Sequence, residues 1–126
     1  MKPGDMSVEK PRIFVVDNEI EIVNLFRDFI DFLKYEPIIE TDGEKVLRDL
    51  EKYQYDLLFV DLKLGDVSGV DILKKSKEVH PYAEVIVVTG FGSDETVLKT
   101  LQYGAFSYIQ KPISFSEIKV QTEEAL

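Results

Sequence analysis

The chain has 126 residues, 44% of them hydrophobic and 31% charged, with a formal net charge of -9. This length suits one domain with a hydrophobic core, and no apolar run approaches the roughly 20 residues of a membrane span. The acidic balance argues against nucleic-acid binding by this domain, because phosphate contact needs a basic face. The chain has no cysteine, which excludes disulfides and thiolate metal sites. His80 is its single histidine, so the sequence gives little support for a Ser-His catalytic triad.

The N-terminal residues 1–10 mix charged residues with proline and glycine, and contain no apolar segment that resembles a signal peptide. They predict a flexible leader ahead of one domain at residues 11–126. Because neither a signal peptide nor a membrane span is visible, we expect the domain to be cytoplasmic and without membrane contact.

The first β-α unit begins with an apolar run from Arg12 that ends in Asp17, which predicts strand 1. Asn18 and Glu21 have the spacing of a capping pair for a helix that follows. Apolar residues at helical spacing predict this helix 1, and they form one apolar stripe that consists of Ile22, Val23, Phe26, Phe29, Ile30 and Leu33.

The second unit begins with a short strand 2 at residues 36–39, and its Pro37 favours the edge of the sheet. Thr41 and Glu44 have capping-box spacing and open helix 2. The apolar stripe of helix 2 consists of Val46, Leu47, Leu50 and Tyr53.

The third unit contains the most apolar strand, Leu57–Asp61, whose composition is typical of a strand buried on both faces of a parallel sheet. Asp61 stands at its carboxyl end, where open α/β sheets bind ligands. A glycine-containing loop over residues 62–69 leads into helix 3 at residues 70–79, which Pro81 stops.

The last two units follow the same pattern. Glu84–Thr89 predicts strand 4, residues 90–93 a flexible loop, and residues 94–103 helix 4, with Gly104 in the left-handed conformation after it. Strand 5 covers residues 105–110, and the capping-box spacing from Ser114 to Glu117 opens helix 5. Because no glycine or basic residue closes helix 5, we expect the chain to be cut from a longer protein.

This strict alternation of five strands and five helices predicts an α/β fold with a parallel sheet and helices on both faces. Asp17, Asp61 and Thr89 end three of the strands, and Lys111 follows a fourth, so all four side chains should meet at one edge. Two adjacent carboxylates repel each other and require a cation, and their oxygen ligands favour Mg²⁺. The lysine and the hydroxyl suit a phosphoryl group, which Asp61 could accept as a nucleophile.

The chain resembles a response-regulator receiver domain of two-component signalling systems. Four segments carry this resemblance in the family's order and spacing, namely Ile13–Asp17, Asp56–Gly69, Val85–Gly90 and Gly104–Pro112. The resemblance covers residues 11–126 and implies a doubly wound, flavodoxin-like sheet of order 2-1-3-4-5.

The resemblance also implies roles for single residues. Asp61 would be the phosphoacceptor in a phosphorelay, and it would take the group from a sensor histidine kinase or a histidine phosphotransfer protein. Asp17 and the backbone carbonyl of Lys63 would join Asp61 in holding Mg²⁺. Lys111 would bind the phosphoryl oxygens, with a cis peptide bond to Pro112.

The same resemblance implies how the signal leaves the domain. Thr89 would move to hydrogen-bond the phosphoryl group, and Tyr108 would turn inward with it. Helix 4, strand 5 and helix 5 would form the signalling surface, and this surface could form a homodimer. An output domain would lie elsewhere in a longer chain, and no enzyme activity beyond self-phosphorylation and self-dephosphorylation is implied.

Two positions depart from the family pattern. Asn18 stands where the family has a second acid that ligates the metal, so Mg²⁺ affinity should fall, and Glu19 is the nearby acid that could compensate. Gly65 stands where the family commonly has proline, and it should loosen the loop beside Asp61.

Two other functions fit parts of this pattern. Asn18 favours a pseudo-receiver, which is an interaction module that works without phosphorylation. A small phosphohydrolase could also use Asp61 as nucleophile, but the position two residues later is Lys63 rather than a second carboxylate that could serve as acid or base.

Overall fold

The computed structural model describes residues 10–90 and 94–126, so most of the expected leader and residues 91–93 of the expected flexible loop lie outside the described part. The five main strands are β1 (Arg12–Val16), β2 (Glu36–Glu40), β3 (Leu57–Asp61), β4 (Glu84–Thr89) and β5 (Ser107–Gln110). The helices are α1 (Ile20–Phe32), α2 (Gly43–Asp49), α3 (Gly69–Val79), α4 (Asp94–Gln102) and α5 (Phe115–Ala125). A 3₁₀ turn at Leu50–Lys52 prolongs α2.

The strands form one parallel sheet in the order β2-β1-β3-β4-β5, which confirms the expected doubly wound topology. The apolar strand β3 lies at its centre and all five of its residues are buried. Strand β2 lies at an edge, as Pro37 predicts. The order reverses between β1 and β3, and a sheet of this kind opens a crevice at such a point.

Two apolar cores, one on each face of the sheet, hold the helices in place. Alternate residues of the strands enter each core, because successive side chains point to opposite faces. The helix-1 stripe is confirmed, since Phe26, Phe29 and Ile30 are fully buried against β3 residues Leu57 and Phe59. The other face packs α2 and α3 against the sheet through Val46, Leu50, Ile72 and Leu73. Full burial of each such side chain stabilises the fold by roughly 1.5–3 kcal/mol.

The N-cap residues of α1 and α2 each lie one position later in the chain than expected. Asn18 does not cap α1, because the Asp17 carboxylate accepts the N–H of Glu19 at 2.8 Å, and Glu19 becomes the N-cap residue without a side-chain cap. Asp42 rather than Thr41 caps α2, and it accepts the N–H groups of Glu44 and Lys45. Both capping predictions were wrong because an aspartate competed for the backbone N–H groups.

The later elements follow the sequence pattern more closely. Ser114 caps α5 and accepts the N–H of Glu117 at 3.1 Å, as the spacing predicts. Gly104 has a φ of 103°, which confirms its left-handed conformation after α4. Strand β5 begins at Ser107, two residues later than expected. Among the described residues, no helix has the length and apolar character that crossing a bilayer demands.

Candidate functional site

The register of the sheet brings the strand-end residues together. Val16 of β1 pairs with Val60 of β3. The next residue of each strand is an aspartate, so Asp17 and Asp61 lie side by side at the same edge of the sheet. Thr89 pairs with Gln110, which places Lys111 directly beyond the end of β4. The backbone N–H of Lys111 also donates to the carbonyl of Thr89 at 2.8 Å. These contacts depend on strand order and register, so residues far apart in the chain form one site.

Lys111 lies at the centre of an acidic cluster. Its Nζ donates to Glu19 Oε1 at 2.7 Å and to Asp61 Oδ2 at 3.0 Å, and it lies 3.3 Å from Asp17 Oδ2. Burial by itself lowers the pKa of Lys111, but its hydrogen bonds to Glu19 and Asp61 outweigh burial and raise that pKa. Lys111 therefore stays charged, yet three carboxylates face one ammonium group and negative charge remains in excess.

The Asp17 side chain is buried and only partly satisfied. The residue as a whole is 1% exposed, and its Oδ1 accepts the N–H of Glu19. Its Oδ2 has no hydrogen-bond partner, although Lys111 lies near it. Burial raises the pKa of Asp17, and repulsion by Asp61 raises it further. The hydrogen bond from the N–H of Glu19 and the charge of Lys111 lower this pKa, but they do not outweigh burial. A buried oxygen without a partner fits a site built for a cation.

Asp17, Glu19 and Asp61 are arranged to share a metal ion. One carboxylate oxygen from each lies within 4.8 Å of the other two. Hard divalent cations take such oxygen ligands, and Mg²⁺ usually keeps several waters beside one or two carboxylates. The residues present therefore fit a Mg²⁺ site. Glu19 joins the cluster because the delayed start of α1 carries it over the edge of the sheet, and its position two residues after Asp17 was the available sequence signal.

Asp61 faces an open cleft of about 360 Å³. Its Oδ1 accepts the N–H of Lys63 at 3.1 Å, and its Oδ2 accepts Lys111, while the residue is 4% exposed. The cleft is lined by Asn18, Glu19, Asp61, Lys63, Gly65, Thr89, Gly90 and Lys111. One oriented carboxylate beside a lysine in such a cleft can act as a nucleophile toward a phosphoryl group.

Close packing of α3 holds the backbone of Asp61. Gly69 begins α3, and a Cβ atom there would overlap the carbonyl of Asp61 and lie 2.8 Å from Leu62 Cα. The N–H of Gly69 also donates to the carbonyl of Leu62 at 2.9 Å. Only a residue without a side chain lets α3 approach the end of β3 this closely.

The remaining predicted residues lie in two different environments. Thr89 is 3% exposed and lines the cleft, whereas Tyr108 on β5 is 42% exposed and points to the outer surface. Asn18 is exposed at the rim, and the peptide bond between Lys111 and Pro112 is cis, as expected. Gly65 has a φ of 70°, which proline cannot adopt, so the loop differs in conformation from a proline-containing one.

His80 packs among structural residues. Its ring packs edge-on against Tyr55 with the centroids 4.9 Å apart, and its Nε2 lies 3.1 Å from the carbonyl of Leu50. Tyr55 in turn hydrogen-bonds Ser76 at 2.6 Å, and burial raises the pKa of Tyr55 to about 12. These groups lie away from the acidic cleft and stabilise the packing of α3.

Comparisons with known proteins agree with this geometry. Residues 13–123 match the family model described as the response regulator receiver domain. The alginate biosynthesis transcriptional regulatory protein AlgB of Pseudomonas putida is 30% identical over 91% of this chain and 26% of its own length. The chain therefore spans about a quarter of the length of the curated relatives it matches.

Solved structures show the same fold. A CheY-like response regulator receiver domain protein from Methanospirillum hungatei matches with a TM-score of 0.86 and 30% identity, over 91% of this chain and 92% of that one. A beryllofluoride-activated NtrC4 receiver domain dimer matches with a TM-score of 0.83 and 26% identity, over 90% of this chain and 94% of that one. The strand order, the site at the sheet edge and these matches together show that the chain belongs to the response regulator receiver domain family.

Proposed function

We propose that Asp61 is the phosphoacceptor of this signalling domain. The observation that carries the proposal is the pairing of Asp61 Oδ2 with Lys111 Nζ at 3.0 Å inside a cluster that also holds the Asp17 and Glu19 carboxylates. An aspartate in this setting can form an acyl phosphate. The pseudo-receiver hypothesis, in which the domain works without phosphorylation, does not explain why a lysine and three carboxylates lie together.

The transfer needs one bond formed and one bond broken. A carboxylate oxygen of Asp61 attacks the phosphorus of a phosphohistidine, the new P–O bond forms, and the departing imidazole nitrogen keeps the electrons of the broken P–N bond. The N–H of Lys63 orients the Asp61 carboxylate. Lys111 donates to the phosphoryl oxygens, whose charge needs neutralisation in the transition state.

We also propose that Asp17, Asp61 and the backbone carbonyl of Lys63 hold Mg²⁺, with Asn18 at the rim as a neutral oxygen donor. Bound Mg²⁺ would supply positive charge next to the transferred phosphoryl group. The excess of carboxylates over lysine in the cluster supports this assignment, as does Asp17 Oδ2, which is buried without a hydrogen bond.

The signal is proposed to leave through α4, β5 and α5. Thr89 lines the cleft beside Asp61 and can hydrogen-bond a phosphoryl group, and its movement would leave space for Tyr108 to turn inward. A cleft of about 500 Å³ on this face is lined by Leu101, Phe106, Ser107, Tyr108, Gln110, Glu117 and Gln121. The exposed apolar groups in it suit a second copy of the chain or an output domain.

The donor is proposed to be a sensor histidine kinase or a histidine phosphotransfer protein, and the setting a cytoplasmic two-component system. The full-length relatives are named as transcriptional regulatory proteins, which supports an output domain in a longer chain. The domain itself would catalyse no reaction beyond its own phosphorylation and dephosphorylation.

Intact-mass measurement after incubation with acetyl phosphate and Mg²⁺ tests the proposal. The native protein should gain one phosphoryl group, and Asp61→Asn should gain none, because an amide cannot serve as the nucleophile. Asp66→Asn is a matched control, since Asp66 is an exposed carboxylate in the same loop. Equal modification of Asp61→Asn and the control would reject Asp61 as the acceptor, and no modification of either would favour the phosphorylation-independent module.

A further inference from the structure

We propose that Glu19 exchanges partners during the reaction: it holds Lys111 in the resting domain, and it moves to the divalent cation when the cation binds. The exchange releases one N–H of Lys111 for the phosphoryl group. The inference deepens the proposed phosphoacceptor function and rests on it. Glu19 would thereby link metal binding to the availability of Lys111.

Most of the hydrogen-bonding capacity of Lys111 is used in the resting geometry. An ammonium group has three N–H donors; two of them donate to Glu19 Oε1 and Asp61 Oδ2, while Asp17 Oδ2 lies 3.3 Å from Nζ without a hydrogen bond. A phosphoryl group can take a second N–H of Lys111 only if one of these two hydrogen bonds opens. The resting geometry therefore occupies the group that the transfer needs.

Exposure identifies the contact that opens. The Glu19 side chain is 58% exposed, whereas those of Asp17 and Asp61 are 2% and 6% exposed. An exposed carboxylate that leaves its partner is taken up by water at low cost, but a buried one would lose its partner without gaining solvent. Glu19 is therefore the contact that yields.

The Glu19 carboxylate has a second place to bind close by. One of its oxygens already lies within 4.8 Å of oxygens of Asp17 and Asp61. Asp17 Oδ2 is buried there without a hydrogen bond, and a coordinated cation would lie closer to it than Lys111 Nζ does at 3.3 Å. Asn18, in contrast, is exposed and carries no charge. A cation held by Asp17 and Asp61 would attract Glu19 as its third carboxylate, in place of the acid that is absent at position 18.

Isothermal titration calorimetry with Mg²⁺ tests Glu19 as a ligand. Glu19→Gln should weaken Mg²⁺ binding about tenfold or more. Glu21→Gln is the matched control, because it removes an exposed charge from the first turn of the same helix outside the cluster, and it should change the Kd by less than about twofold. In an Asn18→Asp background the cost of Glu19→Gln should shrink, because the new carboxylate takes over the third position.

NMR of the ¹⁵N-labelled lysine ammonium groups tests the release of Lys111. In EDTA, Glu19→Gln should shift the Lys111 Nζ signal, because the 2.7 Å contact is lost. At saturating Mg²⁺ the variant and the native protein should give the same signal, because Lys111 then has no contact with a carboxylate at position 19 in either protein.

Each measurement can overturn the exchange. An unchanged Mg²⁺ Kd in Glu19→Gln, or an equal loss of affinity in the native and the Asn18→Asp backgrounds, removes Glu19 from the metal. A Lys111 signal that responds to Glu19→Gln equally with and without Mg²⁺ shows that the pair never opens. Neither experiment uses a phosphoryl donor, so a failure of Asp61 phosphorylation is distinguishable from a failure of the exchange.

Discussion

The Asp17 carboxyl group combines deep burial with incomplete hydrogen bonding. It is buried, its Oδ2 lacks a hydrogen-bond partner, and another carboxylate lies close by. In the metal-free protein its ionised form is therefore held in an unfavourable environment, since burial raises its pKa above the ordinary value of 3.8. A bound cation would compensate this ionised form.

The first prediction concerns Asp17→Asn. Because the folded state holds a proton on Asp17 more tightly than the unfolded state, Asp17 should contribute a fall in the free energy of unfolding as the pH rises from about 4 through its raised pKa. Asp17→Asn should remove this part of the fall and should be more stable than the native protein at pH 7, by about 1 kcal/mol. Urea unfolding in EDTA across a pH series measures both effects.

Mg²⁺ reverses this order of stabilities. A ligand that binds only the folded state stabilises it by RT ln(1 + [L]/Kd), about 2.7 kcal/mol at a hundredfold excess over Kd. The native protein should gain stability in this way, whereas Asp17→Asn should gain little. A native protein that is stabilised no more than Asp17→Asn would contradict the assignment of Asp17 as a ligand.

At the scale of elements, two buried threonines offer a matched pair on neighbouring helices. Thr122 on α5 and Thr100 on α4 are both fully buried. The hydroxyl of Thr100 donates to the carbonyl of Val97 at 2.7 Å, whereas that of Thr122 has no hydrogen-bond partner. The pair separates the effect of burial from the effect of a missing hydrogen bond.

The second prediction is that Thr122→Val stabilises the protein and Thr100→Val destabilises it. An unsatisfied buried hydroxyl costs roughly 1–3 kcal/mol, and a satisfied one contributes roughly 0.5–1.5 kcal/mol. Valine keeps the branched shape of threonine in both places, so opposite signs of about 1 kcal/mol are expected in chemical unfolding. Equal losses in both variants would show that the Thr122 hydroxyl is as well satisfied as that of Thr100, and would contradict the prediction.

The third prediction contrasts Gly69, the first residue of α3, with Gly65 in the loop between β3 and α3. Gly69→Ala should cost several kcal/mol, because its Cβ would meet the Asp61 carbonyl and the Leu62 Cα at 2.8 Å. Gly65→Ala meets no atom within 4 Å and should cost only the roughly 1–2 kcal/mol of a left-handed alanine. Thermal unfolding compares the two losses. Phosphorylation of Gly69→Ala should also slow, since the clash displaces the backbone of the acceptor.

At the scale of the whole molecule, the sheet separates the acceptor site from the proposed signalling surface. The acidic cleft lies at the carboxyl edge, and the apolar surface lies across β5 between α4 and α5. Thr89 and Lys111 stand at the ends of the strands that connect the two regions, so they can transmit a change from one to the other.

The fourth prediction is that activation promotes self-association through this surface. With beryllofluoride and Mg²⁺, light scattering coupled to size-exclusion chromatography should show a larger share of dimer than in EDTA. Leu101→Asp should reduce that share, because Leu101 lines the surface and is 39% exposed. Ile20→Asp is the control, since Ile20 is an exposed apolar residue on α1. A similar loss in both variants would place the contact elsewhere.

Local patterns of the chain were enough to predict most of the fold. Strand β3 is recognisable as buried because its apolar residues run without interruption to Asp61, and α1 is recognisable as a helix because the spacing of its stripe matches one face. The caps of α1 and α2 were mispredicted because several neighbouring polar side chains can accept the same N–H groups. Their competition depends on backbone angles that spacing alone does not reveal.

The sequence by itself determined the alternation of elements, the identity of the reactive groups and the family. It also showed that Asn18 removes a charge from the expected metal site. Only the tertiary structure decided that Glu19 lies beside Lys111 and the two aspartates, because α1 begins after Glu19 rather than after Asn18. The physical reason is that the hydrogen bond from the N–H of Glu19 to Asp17 helps to set where α1 begins. The distances within the site, in turn, join residues from three separate strands and a helix.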